Sequence, residues 1–266
     1  MVKVGIVGAG GRMGKNLINA VYDNPETELA AAVDSPQFPA LGIDAATHAG
    51  RPVSGVTITA DLAAAFAACD VLIDFSFRDA FPGVLAAARA ARKPLVVGTT
   101  GLEAGHLALI DEAAREIPVF QANNYSIGVA VLKKLVEEAA HRLGPAFDIE
   151  VTEVHHKLKK DAPSGTAITL AEAAASGRGL DPASAFCYGR SGMVGERPAD
   201  QIAIHAIRGG DVVGEHTVYF FGDAERVTLG HVATSRMNFA HGAVRAAAWI
   251  VNRPAGRYGI DQLLVD

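Results

Sequence analysis

The stretch Val2-Lys-Val-Gly-Ile-Val-Gly-Ala-Gly-Gly-Arg-Met-Gly14 decides the fold of this chain. Val2–Val7 is an apolar run of strand length, a glycine loop follows over Gly8–Gly14, and helical periodicity extends over Met13–Asp23. Glycine lets the backbone turn tightly and approach a pyrophosphate, while the start of a helix offers unpaired N–H groups to an anion. This order of strand, glycine loop and helix predicts a dinucleotide-binding domain.

An acidic residue ends the second predicted strand, Glu28–Val33. At that position Asp34 is suited to accept hydrogen bonds from an adenine ribose. Its charge repels a 2′-phosphate and Ser35 brings no cation, although Arg12 in the loop could reach that phosphate. We therefore predict that NADH is used at least as well as NADPH.

Strand-like and helix-like stretches alternate through the first 126 residues, which predicts a parallel sheet with helices on both faces. The later predicted strands of this part are Val71–Phe75, Pro94–Val97 and Pro118–Gln121. Two loops, Gly98–Gly101 and Ala122–Tyr125, directly follow strands, where ligands bind in open α/β sheets. We expect both loops to line the nicotinamide end of the coenzyme, the alternative for each being a plain turn.

The pattern changes after residue 126. A long helix over 128–143 precedes the strand Phe147–His155, and a further helix begins near Thr166. The segments Gln201–Ile207, Val212–Phe221 and Glu225–Thr234 then follow one another without helices. We predict an α/β protein: a Rossmann-like dinucleotide-binding domain over 1–126 with a C-terminal return over 237–266, and an α+β substrate domain with a mixed sheet over 127–236.

Composition excludes several classes of protein. A formal net charge of −5 and a pI near 6.0 argue against a nucleic-acid-binding surface. The chain begins directly with a strand and has no long apolar span, so we expect neither a signal peptide nor a membrane segment. Cys69 and Cys187 have no metal-ligand spacing and no disulfide framework, which suits the cytoplasm, and Cys69 is expected to be a buried thiol.

The segment Glu153-Val-His-His-Lys-Leu-Lys-Lys-Asp-Ala-Pro-Ser-Gly-Thr166 carries the candidate chemistry. Histidines can exchange protons near neutral pH, and Lys159 adds positive charge. The start of a helix at Ser164-Gly165-Thr166 suits a carboxylate or phosphate. Together these groups predict a pocket for an anionic substrate that needs a proton. The alternative is a basic, solvated loop before an ordinary helix cap. No metal site is expected, because adjacent histidines are poor chelating partners on a strand.

Downstream, Arg208-Gly-Gly-Asp-Val-Val-Gly-Glu-His216 predicts a tight turn that joins two strands as a hairpin. We expect His216, His231 and Arg236 to be structural or interfacial rather than catalytic.

These motifs, in this order, resemble the family of 4-hydroxy-tetrahydrodipicolinate reductase, also called dihydrodipicolinate reductase, of the bacterial lysine and diaminopimelate pathway. The matching pieces are Val7–Gly14, Gly98–Gly101, Asn123–Gly128, Glu153–Ala167, Arg208–Thr217 and Ser235-Arg236. The segment from the two histidines to Ser-Gly-Thr is highly specific, whereas the glycine loop is not.

The resemblance implies reduction of a cyclic unsaturated dicarboxylate with NADH, NADPH or both, in an enzyme that is typically a homotetramer built through the sheets of its second domain. It implies that His155 is the proton donor/acceptor and Lys159 a proton donor, while His156, Gly165 and Thr166 hold the substrate carboxylates. The implied coenzyme-binding residues are Gly8, Ala9, Gly10, Gly11, Arg12, Met13, Asp34, Gly98, Thr99, Thr100, Ala122, Asn123, Asn124 and Tyr125.

Two positions depart from the family pattern. Some members have an arginine where this chain has Ser35, which argues against strong NADPH use. Tyr125 stands where phenylalanine is often found.

Two other functions compete with this one on the residues alone. The first is another nicotinamide enzyme for an anionic substrate. Within that class a semialdehyde dehydrogenase is disfavoured because neither Cys69 nor Cys187 has an activating setting, and an amino-acid dehydrogenase stays open. The second is a non-catalytic NAD-sensing protein, which would not need the cluster of histidines and lysines.

Overall fold

A computed structural model describes residues 1–265, and their contacts divide the chain into two units. The first unit contains Met1–Ser126 and the described chain from Arg236 onward. The second unit contains Ile127–Ser235.

The helices and strands follow one another along the chain in three groups. The N-terminal part of the first unit contains β1 (Val2–Val7), α1 (Arg12–Asp23), β2 (Thr27–Val33), α2 (Ala45–His48), β3 (Ile58–Thr59), α3 (Leu62–Ala68), β4 (Val71–Asp74), α4 (Phe81–Ala91), β5 (Leu95–Val97), α5 (Ala104–Ala113) and β6 (Pro118–Gln121). The second unit contains α6 (Ile127–Leu143), a 3-10 turn at Gly144–Ala146, β7 (Asp148–His155), α7 (Gly165–Arg178), α8 (Pro182–Ala185), β8 (Phe186–Tyr188), β9 (Ile202–Arg208), β10 (Gly214–Gly222) and β11 (Glu225–Ala233). The first unit resumes with α9 (Met237–Ile250), β12 (Gly256–Tyr258) and α10 (Ile260–Leu263).

The first unit is built on a parallel sheet. Its strands lie in the order β12-β6-β5-β4-β1-β2-β3, and every pair of neighbours is parallel. All residues of β4 and β5 are buried, as expected for strands that helices cover on both faces. The chain runs outward from β1 toward β2 on one side and from β4 toward β5 on the other. The point between β1 and β4 is therefore a topological switch, where open α/β sheets bind their ligands.

The predicted Rossmann-like organisation is confirmed, and most element bounds differ from the predicted ones by one or two residues. The prediction omitted the short elements α2, β3, α8, β8, β12 and α10. An element of two to four residues is too short to show periodicity, and β12 exists because its backbone pairs with β6. Cys69 is buried as expected, and burial raises the pKa of its thiol to about 12.

The second unit is built on a five-stranded mixed sheet in the order β11-β10-β7-β9-β8. In β7, every second residue, ending with Glu153 and His155, is buried on the side where α6 and α7 contribute to the core. An apolar side chain that is fully buried on that face contributes roughly 1.5–3 kcal/mol. The alternate residues of β7 lie on the opposite, half-exposed face.

The hairpin predicted for 208–216 is wrong. β9 pairs in parallel with one edge of β7, and β10 pairs antiparallel with the other edge, so β7 lies between the two strands. The intervening loop crosses the end of β7 instead: Gly209 N donates to His155 O at 2.9 Å, and His156 N donates to Val212 O at 2.8 Å. Local turn chemistry could not reveal this, because β7, which comes much earlier in the chain, lies between the two strands.

Across residues 1–265, no helix has the length and apolar character needed to cross a membrane.

Candidate active site

In the first unit, the glycine loop joins β1 to α1 in a tightly packed turn. Gly8 has a φ of +81°, and a Cβ there would lie 2.8 Å from Phe75 O. A Cβ at Gly14 would overlap the carbonyl oxygens of Gly8 and Ala9. These two glycines therefore allow α1 to begin directly against the strand end, which leaves its N-terminal N–H groups available to an anion.

Asp34 lies directly beside this loop. Its carboxylate accepts hydrogen bonds from Gly10 N at 2.7 Å and from Ser35 N at 2.7 Å. The carboxylate at the end of β2 is thus fixed against the glycine turn, in the position from which an acidic residue binds an adenine ribose.

Two aromatic residues that sequence reasoning missed cover the same loop. His48 Nε2 lies 3.1 Å from Gly10 O, and the His48 ring packs edge-on against Phe38 with 5.6 Å between the ring centroids. A Cβ at Gly10 would overlap the Phe38 ring. No local signal identifies either residue, since α2, which carries His48, reaches the loop only through the fold.

Asp74 is a second residue that the sequence did not single out. It ends β4 with its side chain fully buried, where it accepts hydrogen bonds from Ser76 N at 2.9 Å and Thr99 Oγ1 at 3.0 Å. Burial raises the pKa of this carboxyl, and the hydrogen bonds from Ser76 and Thr99 oppose that rise. Asp74 therefore braces the loop that carries Gly98 and Thr99, whereas Thr100 is exposed.

The Ala122–Tyr125 loop places its side chains unequally. The Tyr125 side chain is buried, and its hydroxyl donates to Val97 O at 2.7 Å, so only its backbone is available to a ligand. Asn123 is exposed, and Asn124 Oδ1 accepts from Ser126 N at 2.8 Å. The tyrosine hydroxyl gains a buried acceptor, which accounts for the departure from phenylalanine at this position.

Parallel strands end at one edge of the sheet, so the first unit brings the predicted coenzyme residues to that edge. The loops after β1, β2, β5 and β6 all begin there, and the glycine loop lies at the switch between β1 and β4. The close backbone packing that only glycine permits at Gly8 and Gly14, together with the acidic Asp34, fits a dinucleotide.

In the second unit, a buried charge cluster surrounds His155. His155 Nδ1 lies 2.5 Å from Glu153 Oε2, and the Glu153 side chain is fully buried. Arg208 donates to both oxygens of that carboxylate, at 2.7 and 2.8 Å. A Cβ at position 214 would lie 3.0 Å from His155 Nε2, so Gly214 leaves this nitrogen uncrowded.

Lys159 is held by a neighbouring acid. Its Nζ donates to both carboxylate oxygens of Asp161, at 2.9 and 2.7 Å. The hydrogen bond from Lys159 lowers the pKa of Asp161 and outweighs the opposing effect of partial burial. Arg208 also donates to Asp161 O at 2.7 Å, so one guanidinium contacts the partners of both His155 and Lys159.

The helix α7 begins beside this cluster. Ser164 is its N-cap: its Oγ accepts from Ala167 N at 3.2 Å, and its own N–H donates to Glu153 Oε1 at 3.0 Å. Gly165 and Thr166 form the first two residues of the helix, and Gly165 is exposed with open space around its Cα. A helix start with a small, exposed residue suits a carboxylate. The alternative of a solvated loop with a simple cap does not account for the buried Glu153.

His156 and His216 lie around the same segment. His156 is half-buried, and its Nδ1 has no hydrogen-bond partner among residues 1–265. His216, which sequence reasoning placed outside the site, lies with its Nε2 3.0 Å from Ser164 Oγ and its ring centroid 5.1 Å from that of His155. Burial, and then the nearby charge of His155, lowers the pKa of His216 to about 4, so it is neutral at physiological pH.

The segment from Glu153 to Thr166 thus combines an anchored imidazole, a cationic side chain and a helix start. The imidazole can exchange a proton through Nε2, and the cation and the N–H groups can hold negative charge. Neither capability requires a metal ion.

Two family models match the chain. The model described as dihydrodipicolinate reductase, N-terminus, matches residues 2–125, and the model described as dihydrodipicolinate reductase, C-terminus, matches residues 128–264. A relative from Anaeromyxobacter dehalogenans, called 4-hydroxy-tetrahydrodipicolinate reductase, is 48% identical over 264 residues, which are 99% of this chain and 98% of the relative. A relative of the same name from Alkalilimnicola ehrlichii is 49% identical over 262 residues, with 98% of each chain covered.

Solved structures show the same fold. Dihydrodipicolinate reductase from Paenisporosarcina sp. TG-14, solved with dipicolinate bound, superposes with a TM-score of 0.74 at 24% identity and covers 98% of this chain and 99% of its own. GenD2 from gentamicin A biosynthesis, solved with NAD, superposes with a TM-score of 0.61 at 16% identity and covers 99% and 90%.

Proposed function

The chain belongs to the dihydrodipicolinate reductase family, oxidoreductases of lysine and diaminopimelate biosynthesis, and on that premise we propose how its residues divide the work of the reaction. The activity is reduction of 4-hydroxy-tetrahydrodipicolinate to tetrahydrodipicolinate with a pyridine nucleotide. Membership over nearly the whole chain favours this activity over an amino-acid dehydrogenase or an NAD-sensing protein. The main support for this assignment of roles is the hydrogen bond between His155 and the buried Glu153, beside the start of α7.

The first unit binds the coenzyme, which supplies the hydride when bound. The glycine loop from Gly8 to Met13 receives the pyrophosphate at the start of α1, and Asp34 accepts hydrogen bonds from the adenine ribose. The nicotinamide end is lined by the two later loops, through Gly98, Thr99 and Thr100 and through Ala122, Asn123, Asn124 and the backbone of Tyr125. The buried Asp74 keeps the first of these loops in place.

The second unit binds the dicarboxylate and supplies the proton. His155 exchanges the proton through Nε2, because Nδ1 is engaged by Glu153. Lys159 is a second proton donor. The Lys159 side chain is only 19% exposed and its ammonium pairs with Asp161, so it is held rather than freely solvated.

The substrate carboxylates are held by the start of α7. Gly165 and Thr166 offer backbone N–H groups and a hydroxyl. The half-buried His156 has no hydrogen-bond partner for its Nδ1 among residues 1–265, so this nitrogen can bind the substrate. A carboxylate at this point gains charge-assisted hydrogen bonds, each worth about 1.5–3 kcal/mol.

We also propose that the protein is a cytoplasmic homotetramer. The outward face of the second sheet supports this assembly, because it carries exposed apolar side chains at Ile207, Phe221 and Val232. Val232 and Ile207 lie in one row across this face and Phe221 lies toward its other end, and exposed apolar side chains on a sheet face are suited to an interface.

The experiment that tests these roles follows NADH absorbance while dihydrodipicolinate synthase generates the substrate from pyruvate and aspartate semialdehyde. We expect oxidation that depends on the synthase. In Lys159→Ala we expect kcat to fall about ten- to a hundredfold, the equivalent of one lost charge-assisted hydrogen bond.

Lys160→Ala is the matched control, because it removes the same charge from the adjacent, exposed residue and should retain wild-type kcat. Equal rates in Lys159→Ala and the wild type would refute the role of Lys159. Absence of any synthase-dependent oxidation, with NADH still bound, would refute the reaction itself.

Coenzyme preference is a separate prediction. The Asp34 carboxylate beside Gly10 N repels a 2′-phosphate, and exposed Arg12 is the cation that the loop offers in compensation. We expect kcat/KM for NADH to be at least equal to that for NADPH, and Ser35→Arg to improve kcat/KM for NADPH alone. Steady-state kinetics with both coenzymes test this, and a strong NADPH preference of the wild type would contradict it.

A further inference from the structure

Glu153 and Arg208, next to His155, form an ion pair in which the carboxylate is fully buried and the guanidinium partly exposed. Arg208 contacts both oxygens of Glu153 through its two terminal nitrogens, at 2.7 and 2.8 Å. Each oxygen also has another donor, Nδ1 of His155 for Oε2 and the N–H of Ser164 for Oε1. These four hydrogen bonds hold the carboxylate in one orientation, in which it accepts from the imidazole of His155.

We propose that Glu153 and Arg208 are positioning residues, which fix the tautomer and orientation of His155 and restrain Lys159 for proton transfer. This inference rests on the proposed function, in which His155 and Lys159 carry the proton. In this proposal neither Glu153 nor Arg208 contacts the substrate.

Glu153 is negatively charged although it is buried. Burial alone raises the pKa of this carboxyl, but hydrogen bonds from Arg208, His155 and Ser164 N outweigh burial and hold the pKa below its ordinary value. The carboxylate is therefore ionised at neutral pH and can only accept hydrogen bonds. His155 Nδ1 must consequently carry a proton, so proton exchange takes place at the other ring nitrogen, Nε2.

The charged and titratable groups around His155 come from three strands and one loop. Glu153 lies on β7, Arg208 on β9, His216 on β10 and Lys159 on the loop after β7. Because His216 is neutral and Arg208 is paired with Glu153, the carboxylate is the one group here that selects a tautomer of His155.

Arg208 extends the same control to Lys159. Besides binding Glu153, it donates to Asp161 O at 2.7 Å, and the Asp161 carboxylate binds Lys159 Nζ at 2.7 Å. In the sheet, Arg208 is in register with His155 in the parallel pair of β9 and β7. The guanidinium of Arg208 thus holds both Glu153, which binds His155, and Asp161, which binds Lys159.

The test is a double-mutant cycle of Glu153→Gln and His155→Gln in the full-length protein. If Glu153 acts through His155, we expect Glu153→Gln to lower kcat about ten- to a hundredfold in the wild type, as for other supports of a functional histidine. In the His155→Gln background we expect a change of no more than about twofold. Coenzyme affinity should stay unchanged in every variant.

An equal loss of kcat in both backgrounds would show that the ion pair is merely structural and would overturn the proposal. A wild-type kcat in His155→Gln alone would instead contradict the proposed proton role. Glu150→Gln is the matched control: Glu150 lies on the opposite face of β7 and also pairs with arginines, Arg190 and Arg197, so it should affect stability but leave kcat unchanged.

A second measurement does not depend on turnover. In ¹⁵N spectra we expect His155 of the wild type to carry its proton on Nδ1, and Glu153→Gln to lose this preference. An unchanged tautomer would overturn the proposal. Should Glu153→Gln not fold, Arg208→Lys enters the same cycle, because it keeps the charge but loses the bidentate geometry.

Discussion

Replacing His155 with glutamine lowers kcat about a hundred- to ten-thousandfold, the range over which a positioned general acid contributes to catalysis. The reason lies in the geometry around its ring. Nδ1 is committed to buried Glu153 at 2.5 Å, Nε2 faces the space that Gly214 leaves open, and glutamine has no group that exchanges a proton near neutral pH. Steady-state kinetics with substrate generated in situ measure this loss.

The same variant should bind NADH as the wild type does, because His155 belongs to the second unit and the glycine loop belongs to the first. Fluorescence titration with NADH provides this control. A kcat within a few fold of the wild type, or a loss of NADH affinity equal to the loss of kcat, would refute the assignment of His155.

Replacing Gly14 with alanine should reduce NADH affinity about ten- to a hundredfold, the equivalent of losing one hydrogen bond from the loop to the charged pyrophosphate. The new Cβ would overlap the carbonyl oxygens of Gly8 and Ala9. Because these atoms belong to the backbone, the loop itself must shift, and we expect a further loss of stability of about 1–3 kcal/mol from overpacking. Titration with NADH and thermal unfolding without coenzyme measure the two effects.

Gly105→Ala is the matched control, because Gly105 lies within α5 and no atom lies within 4 Å of its added Cβ. That variant should bind NADH normally and gain up to about 1 kcal/mol of stability from better helix propensity. Normal NADH affinity in Gly14→Ala would refute the assignment of the glycine loop to the pyrophosphate.

The sequence was sufficient wherever the structure depends on residues close together in the chain. The strand–glycine–helix order around Gly8–Gly14 predicts the coenzyme loop because glycine at these positions is a local steric requirement. The cap of α7 at Ser164 was likewise recognisable from Pro-Ser-Gly-Thr alone. The alternation of strands and helices also predicted the parallel sheet, since its strands are buried on both faces and therefore apolar.

Local sequence patterns could not predict which distant strands pair with each other. The predicted hairpin over 208–216 failed because β7 takes the place between β9 and β10. The same pairing places Arg208 beside Glu153, 55 residues earlier in the chain. A charged residue at a strand end gives no sign in sequence of which partner it will meet.

The sequence by itself thus determined the family, the two-part organisation of the fold and the segment that contains the candidate catalytic residues. Only the tertiary structure decided that Glu153 is a buried anchor rather than a strand residue facing solvent, that Asp74 braces the Gly98 loop, and that the Tyr125 side chain is withdrawn into the core. Residue type and spacing define what a side chain can do chemically. Burial and partners, which depend on contacts between segments far apart in the chain, define whether it is charged and where its proton lies.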